Sequence, residues 1–213
     1  MITGLIIVVT CIVSFAAFSN RRYLEILIFY PPAISRQKQW YRFFSYGLIH
    51  ADFGHLLFNM IAFYSFGSFV EGKFDDMFGT PSGKILYLLL YVSALAVCLL
   101  PTYFKNRNNA GYRSLGASGA VSAIVFASIL LNPTAGVGLI FIPFFTAPAF
   151  VFGLIYLGVS FWLDRRGSGA INHSAHLYGG LYGMVFLLVA ANLFSQYNVL
   201  SEFIFQIRSY FGM

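Results

Sequence analysis

The chain has 213 residues, of which 59% are hydrophobic and 9% charged, with a formal net charge of +6 and a mean hydropathy of +0.75. Soluble domains are about 45–50% apolar and about 25% charged, so this composition excludes an ordinary soluble fold and indicates a chain that crosses a membrane several times. Its basic residues are scattered through short segments between apolar runs. The positive charge therefore favours anchoring at a lipid surface over nucleic-acid binding.

Six apolar stretches follow one another along the chain, and each is close to the roughly 20 residues that cross a bilayer. They cover residues 2–18, 53–70, 85–100, 116–131, 148–163 and 173–194. We predict an all-α fold, a polytopic membrane helix bundle with six transmembrane helices in a single domain over residues 1–213. The first stretch is expected to be a span, because no cleavage site of a signal peptide follows it.

Two further segments are expected to lie on the membrane surface. Residues 24–30 are apolar but run into Pro31 and Pro32, and the aromatic residues Trp40 and Tyr41 follow, which favour the headgroup level. Over residues 199–211 apolar side chains recur at helical spacing. This spacing predicts an amphipathic C-terminal helix.

Four polar residues stand at the beginnings of predicted spans. Burying a polar side chain in lipid is costly, so these residues are candidates for a functional role. His55 and Asn59 open the second span and share a helix face, Ser118 opens the fourth, and His176 opens the sixth. The second, fourth and sixth spans run in the same direction. The four side chains can therefore meet at one depth in the membrane.

These residue types together fit acyl transfer. A serine hydroxyl becomes a nucleophile when a base removes its proton, and histidine is a suitable base near neutral pH. The intermediate carries an oxyanion, which Asn59, His55 and the backbone N–H of Ser118 could stabilise. Ser118 is thus the candidate nucleophile and His176 the candidate base.

The glycines around these residues fit the same geometry. Gly179 and Gly183 have the spacing that lets two helices approach closely, and both lie on the face of His176. The fourth stretch begins with small residues that include Gly116 and Gly119. We expect these glycines to pack the fourth and sixth spans together at the site.

Other membrane enzymes are less compatible with the sequence. All seven acidic residues fall at span ends, in loops or in the tail, whereas an intramembrane aspartyl protease needs two of them inside. No histidine is followed by Glu, so the zinc-protease motif is missing, and the pair His173 and His176 is a weak metal signal without a third ligand. We predict neither a metal nor a cofactor.

The combination of motifs resembles the rhomboid intramembrane proteases. The residues that carry the resemblance are Gly116-Ala117-Ser118-Gly119, His55 with Asn59, Ala175-His176 with Gly179, and Trp40-Tyr41-Arg42 ahead of the second span. The resemblance covers essentially the whole chain. It implies a serine endopeptidase with a Ser118–His176 dyad and no acid, an oxyanion hole of Asn59 and His55, and structural roles for Arg42 and Glu71. It also implies single-pass membrane proteins as substrates and a fifth helix that acts as a lateral gate.

The sequence departs from the family pattern in two respects. Many bacterial members carry an aromatic residue four positions after the serine, stacked on the histidine, whereas Ser122 stands here. The family's usual topology places the first, third and fifth loops outside the cell. These loops hold most of the Lys and Arg residues, which predicts the opposite orientation.

Each of these features also has a plainer interpretation. A serine at a helix start is usually a cap, a glycine pair usually serves packing, and an asparagine in a span can join two helices. A catalytically inactive rhomboid-like protein that binds membrane clients, a small transporter and a metal-dependent enzyme are the alternatives. The plasma membrane is the expected location, and the sequence makes no prediction about oligomeric state.

Overall fold

The computed structural model describes residues 1–139, 142–166 and 171–213. Its helices are α1 Ile2–Ser19, α2 Arg21–Leu27, α3 Pro31–Gln37, α4 Arg42–Ser45, α5 Phe53–Phe78, α6 Ser82–Val97, α7 Leu100–Asn106, α8 Ser118–Leu131, α9 Ala149–Arg166, α10 His173–Phe194 and α11 Val199–Tyr210. A 3₁₀ turn, Tyr46–Leu48, follows α4, and the strands β1 Gly136–Leu139 and β2 Ile142–Pro148 separate α8 from α9. The long helices α1, α5, α6, α8, α9 and α10 lie at the six predicted apolar stretches.

Length and composition mark four helical segments of the described residues as able to cross a membrane. They are Ile2–Ser19, Phe53–Phe78, Ser82–Asn106 and His173–Phe194. The helix α8 is apolar but has only 14 residues, and α9 has 18 residues and ends in charged ones. The predicted polytopic helix bundle is confirmed.

Helix α8 lies at the centre of the bundle, and every residue of it after Ser118 is buried. It is apolar all round because it packs against α5, α6, α9 and α10 on different sides. The surrounding helices instead expose large apolar side chains outward, as a lipid-facing surface does. Examples are Leu5, Val8, Ile85, Leu89, Leu154, Ile155, Val185 and Leu193.

Two short strands accompany the helix bundle between α8 and α9. There β1 and β2 pair antiparallel, with Gly136 opposite Pro148 and Gly138 opposite Thr146. Both strands are short, and a pairing between two short strands is not contained in the periodicity of either one.

The structure also extends the second predicted helix to Phe78 instead of ending it near residue 70. Glu71 suggested the end of a span, but it lies buried inside α5, only 4% exposed. Its carboxylate accepts hydrogen bonds from the backbone N–H of Ile2 at 2.7 Å and of Thr3 at 2.9 Å, and from the Thr3 hydroxyl at 2.7 Å. Glu71 thus satisfies N–H groups at the beginning of α1 that have no partner within that helix.

Arg42 ties together the long segment between α1 and α5. Its guanidinium donates to the backbone carbonyl of Ile28 at 2.6 Å and of Glu25 at 3.1 Å, and to the side-chain oxygen of Gln39 at 2.6 Å. The residue is only 7% exposed, and these neutral acceptors satisfy three of its donors. This network holds the short helices of the segment beside the beginning of α5.

Candidate active site

Ser118 is the first residue of α8, directly after a tight backbone turn at Gly116. Gly116 has a φ of +102°, and its N–H donates to the carbonyl of Tyr46 at 3.0 Å. A Cβ at this position would lie 2.6 Å from Cε1 of the His55 ring. Glycine is required here on both counts, because of its left-handed backbone and because of the close approach of the imidazole.

His176 lies in the first turns of α10 and reaches Ser118 directly. The distance from His176 Nε2 to Ser118 Oγ is 2.7 Å, a normal hydrogen bond. Asn172 caps the helix by accepting from the N–H of Ala175 at 3.1 Å. Across the described residues, no carboxylate oxygen lies within 4.0 Å of a ring nitrogen of a histidine. In that part of the chain, the Ser–His pair therefore has no acid beside it.

Backbone contact between α8 and α10 sets this distance. A Cβ at Gly179 would overlap the carbonyl oxygen of Gly119, and a Cβ at Gly183 would overlap that of Ala123. A Cβ at Gly119 would in turn lie 2.6 Å from the sulfur of Cys98 and 3.2 Å from the carbonyl oxygen of Ala175 in α10. The two helices meet through their main chains, so side-chain adjustment has little influence on the spacing.

His55 and Asn59 lie one turn apart on α5. Asp52 is the N-cap of this helix, and its carboxylate accepts from the N–H of His55 at 2.8 Å. The N–H of Ala51 donates to His55 Nδ1 at 3.5 Å, so the ring proton belongs on Nε2, the nitrogen that faces Gly116. Asn59 donates one amide hydrogen to the carbonyl of His55 at 3.2 Å. Each side chain thus retains one N–H that its local helix does not use.

His50 is fully buried and lies behind Ala117, the residue before Ser118. Ser14 donates its hydroxyl hydrogen to the carbonyl of Leu48 at 2.9 Å, so it must accept from His50 Nδ1, which is 3.0 Å away. His50 Nε2 then accepts from the N–H of Ala117 at 3.5 Å. Burial, with a smaller effect of His55, lowers the pKa of His50 to about 3, so the ring is neutral and steadies the residue before Ser118.

One cavity of about 650 Å³ contains Ser118, His176, His55 and Asn59 in its lining. Its polar groups come from the beginnings of α5, α8 and α10. Its apolar wall comes from α5 and α9, through Phe58, Ala62, Phe66 and Phe152. The structure brings all four predicted polar residues into this one cavity.

Helix α8 is shorter than the hydrocarbon core of a bilayer is thick. Fourteen residues at about 1.5 Å each give a helix of roughly 21 Å, against about 30 Å. Hydrogen bonds from Gly116 to Tyr46 and from Ala117 to His50 hold the chain before Ser118. Irregular backbone that lies within a membrane must be enclosed by protein in this way.

Sequence reasoning missed one residue of this cavity, Tyr156 on α9. Its ring lies 6.0 Å from the His176 ring, between centroids, and is inclined by 32°. Its hydroxyl lies 2.6 Å from Oγ of Ser122, the position that lacks the expected aromatic residue. The absence of an aromatic residue at position 122 indicated that another group must contact His176. Tyr156 itself stands in an apolar run, and no local sequence pattern distinguishes it.

Comparison with known proteins places the chain in a family. Residues 37–193 match the Rhomboid domain. The protein therefore belongs to the rhomboid family and is an integral membrane protein, in agreement with the resemblance found in its motifs.

Two relatives extend this comparison. The chain is 26% identical to "Rhomboid protease GlpG" of Haemophilus influenzae over 171 residues, covering 78% of each protein. It is 33% identical to "RHOMBOID-like protein 12, mitochondrial" of Arabidopsis thaliana over 137 residues, which are 61% of this chain but only 40% of that protein. The chain thus matches less than half of the length of the plant relative.

Proposed function

We propose that this protein is an intramembrane serine endopeptidase that cleaves transmembrane segments of other membrane proteins with a Ser118–His176 dyad. The observation that carries the proposal is the 2.7 Å hydrogen bond between His176 Nε2 and Ser118 Oγ, inside a cavity at the beginnings of three long helices. Membership of the rhomboid family and a relative named as a protease support the same reaction.

In the proposed reaction, Ser118 Oγ attacks the carbonyl carbon of the scissile peptide while His176 Nε2 takes the hydroxyl proton. His176 then gives this proton to the leaving amine, and an acyl-enzyme remains on Ser118. A water molecule, deprotonated by His176, then attacks the ester. The Ser118–acyl bond breaks, His176 returns the proton to Ser118 Oγ, and the new carboxyl end is released. The histidine thus acts as base and acid in turn.

Three donors are suited to stabilise the oxyanion of each tetrahedral intermediate. The N–H of Ser118 lies in the first turn of α8, where it has no partner within the helix. His55 Nε2–H faces Gly116 beside the serine, and Asn59 has a second amide hydrogen. These groups are positioned by α5 and α8 before substrate arrives, which is the arrangement that makes such donors effective.

The substrate is proposed to be a single-pass membrane protein that enters between α5 and α9. The cavity wall on this side is apolar, with Phe58 and Phe66 from α5 and Phe152 from α9. An apolar helix can lie against this wall, and an unwound end of it can reach the polar groups. The proposed location is the plasma membrane, although the plant relative is named as mitochondrial, and fractionation of the source cells tests this point.

Cleavage of a single-span substrate by the purified protein in liposomes tests the proposed function. The wild type is expected to cleave, and Ser118→Ala and His176→Ala are expected to lose at least about a thousandfold in rate. Ser128→Ala, which makes the same change further along α8, serves as the control and should cleave normally. A fluorophosphonate probe should label Ser118 in the wild type and in the control.

Equal cleavage by the wild type and Ser118→Ala would remove Ser118 as the nucleophile. A folded wild type that neither cleaves nor reacts with the probe would contradict the proposal and favour the inactive client-binding alternative.

A further inference from the structure

The orientation of His176 needs a contact beyond its hydrogen bond to Ser118. That bond fixes one nitrogen of the imidazole, but the ring can still rotate about the axis through it. In the described residues no carboxylate lies near the other nitrogen. A base that must accept and return a proton in a defined direction requires a second contact.

Tyr156 supplies a ring contact of this kind from a different helix. The two ring centroids are 6.0 Å apart with an interplanar angle of 32°, so the phenol and the imidazole are in tilted ring contact. Tyr156 is itself enclosed by Phe126 of α8 at 5.7 Å and Phe152 of α9 at 5.9 Å. The phenol therefore has little freedom to turn away from the histidine.

The Tyr156 hydroxyl is fixed by a directed chain of hydrogen bonds. Oγ of Ser122 lies 2.8 Å from the carbonyl oxygen of Ser118. A carbonyl oxygen can only accept, so the Ser122 hydroxyl is the donor in this contact. Its single hydrogen is used there, so in the 2.6 Å contact with Tyr156 the tyrosine must donate and Ser122 must accept. The chain runs from Tyr156 through Ser122 to the main chain of the serine that His176 contacts.

We propose that Tyr156 is the positioning residue for His176, with its ring setting the plane of the imidazole and Ser122 setting the position of the ring. The inference rests on the proposed function, since it assigns the orientation of the same base. Ser122 stands in α8 where an aromatic residue was expected. Its hydroxyl oxygen instead accepts a hydrogen bond from Tyr156, an aromatic residue of α9. The three helices α8, α9 and α10 are thereby linked at the site.

The rate at which a fluorophosphonate labels Ser118 tests this proposal without a natural substrate. Tyr156→Leu keeps apolar bulk but removes the aromatic plane, and it should lower both the labelling rate and kcat by about 10- to 100-fold. The KM of a single-span substrate should change by less than about twofold. Tyr156→Phe keeps the ring and should recover most of the rate, leaving a deficit of about three- to tenfold.

A double-mutant cycle tests the link to Ser122. Tyr156→Phe and Ser122→Ala each break the same hydrogen bond, so Tyr156→Phe should have no further effect in the Ser122→Ala background. Phe161→Ala, which removes an exposed aromatic side chain of the same helix, is the matched control and should label at the wild-type rate.

The outcomes separate the two proposals. A wild type that the probe labels at Ser118, together with a folded Tyr156→Leu that labels within twofold of it, would overturn the role of Tyr156 and leave the protease assignment intact. Equal losses in Tyr156→Phe and Tyr156→Leu would also overturn it, because the ring would then contribute nothing. Fully additive losses in the double-mutant cycle would remove Ser122 from the assignment. An unlabelled wild type would instead contradict the proposed function itself.

Discussion

The backbone contact between α8 and α10 makes Gly179→Ala a direct structural perturbation of the site. A Cβ there would lie 2.9 Å from the carbonyl carbon of Gly119, against 3.4–4 Å for an ordinary contact, and it would overlap the carbonyl oxygen. The helices must therefore separate by at least roughly half an ångström. Helical alanine is favoured over glycine by about 0.5–1 kcal/mol, whereas forced overpacking costs about 1–3 kcal/mol, so we expect a net loss of stability of about 1–2 kcal/mol.

The same separation acts on the reaction, because Ser118 and His176 stand on the two helices that move. Their distance of 2.7 Å would increase beyond about 3.2 Å, where an O–H···N hydrogen bond is weak. We expect cleavage of a single-span substrate in liposomes to fall by about 10- to 100-fold. Unfolding in detergent, followed by circular dichroism, would measure the accompanying loss of stability.

Gly72→Ala is the matched control, because a Cβ at Gly72 in α5 meets nothing within 4 Å. It should keep full activity and gain up to about 1 kcal/mol in stability from the helix preference of alanine. If Gly179→Ala behaved like this control in both assays, the backbone contact between α8 and α10 could not be what sets the Ser–His distance.

Three further predictions concern the proposed oxyanion donors, Glu71 and His50. Asn59→Ala and His55→Ala should each lower kcat by about 100- to 1,000-fold with unchanged unfolding curves, and normal turnover in both would remove them from the oxyanion hole. Glu71→Ala should lower the free energy of unfolding in detergent by about 1–3 kcal/mol, since it leaves the first N–H groups of α1 unpaired; an unchanged transition would show that water replaces the carboxylate. His50 takes up a proton near pH 6.5 when unfolded but only near pH 3 when folded. Its contribution to stability is therefore complete above pH 6.5 and is lost as the pH falls toward 3. His50→Gln should flatten the slope of stability against pH in this range, and an identical slope would refute the assignment.

The helices and the positions of Ser118 and His176 at their beginnings could be predicted from sequence because the signals are local. An apolar run of membrane length is visible in a window, and Ser118 and His176 stand in short motifs at the beginnings of such runs. Because those runs are parallel in the bundle, residues distant in sequence were expected at one depth. The cavity contains these residues together.

The features that were missed depend on partners far along the chain. Glu71 suggested a helix end because a buried carboxylate is costly. The groups that pair with it belong to Ile2 and Thr3, which are distant from Glu71 in the sequence. Tyr156 could not be distinguished from the lipid-facing residues around it, because its contact with His176 depends on how α9 is rotated about its axis. A local sequence pattern does not show which distant residue pairs with a buried charge. It also does not show how a uniformly apolar helix is rotated about its axis.

Helix α9 is held less firmly than the helices that carry the dyad. Its buried residues are Ala149, Gly153 and Ser160, whereas α8 is buried along its length and is joined to α10 through the main chain. On the assignment of Tyr156 to the orientation of His176, the bilayer acts on the reaction through α9 while the Ser–His distance stays fixed. Acyl-chain length and lateral pressure then set the fraction of molecules with an aligned base, so turnover depends on the host membrane even for a single substrate.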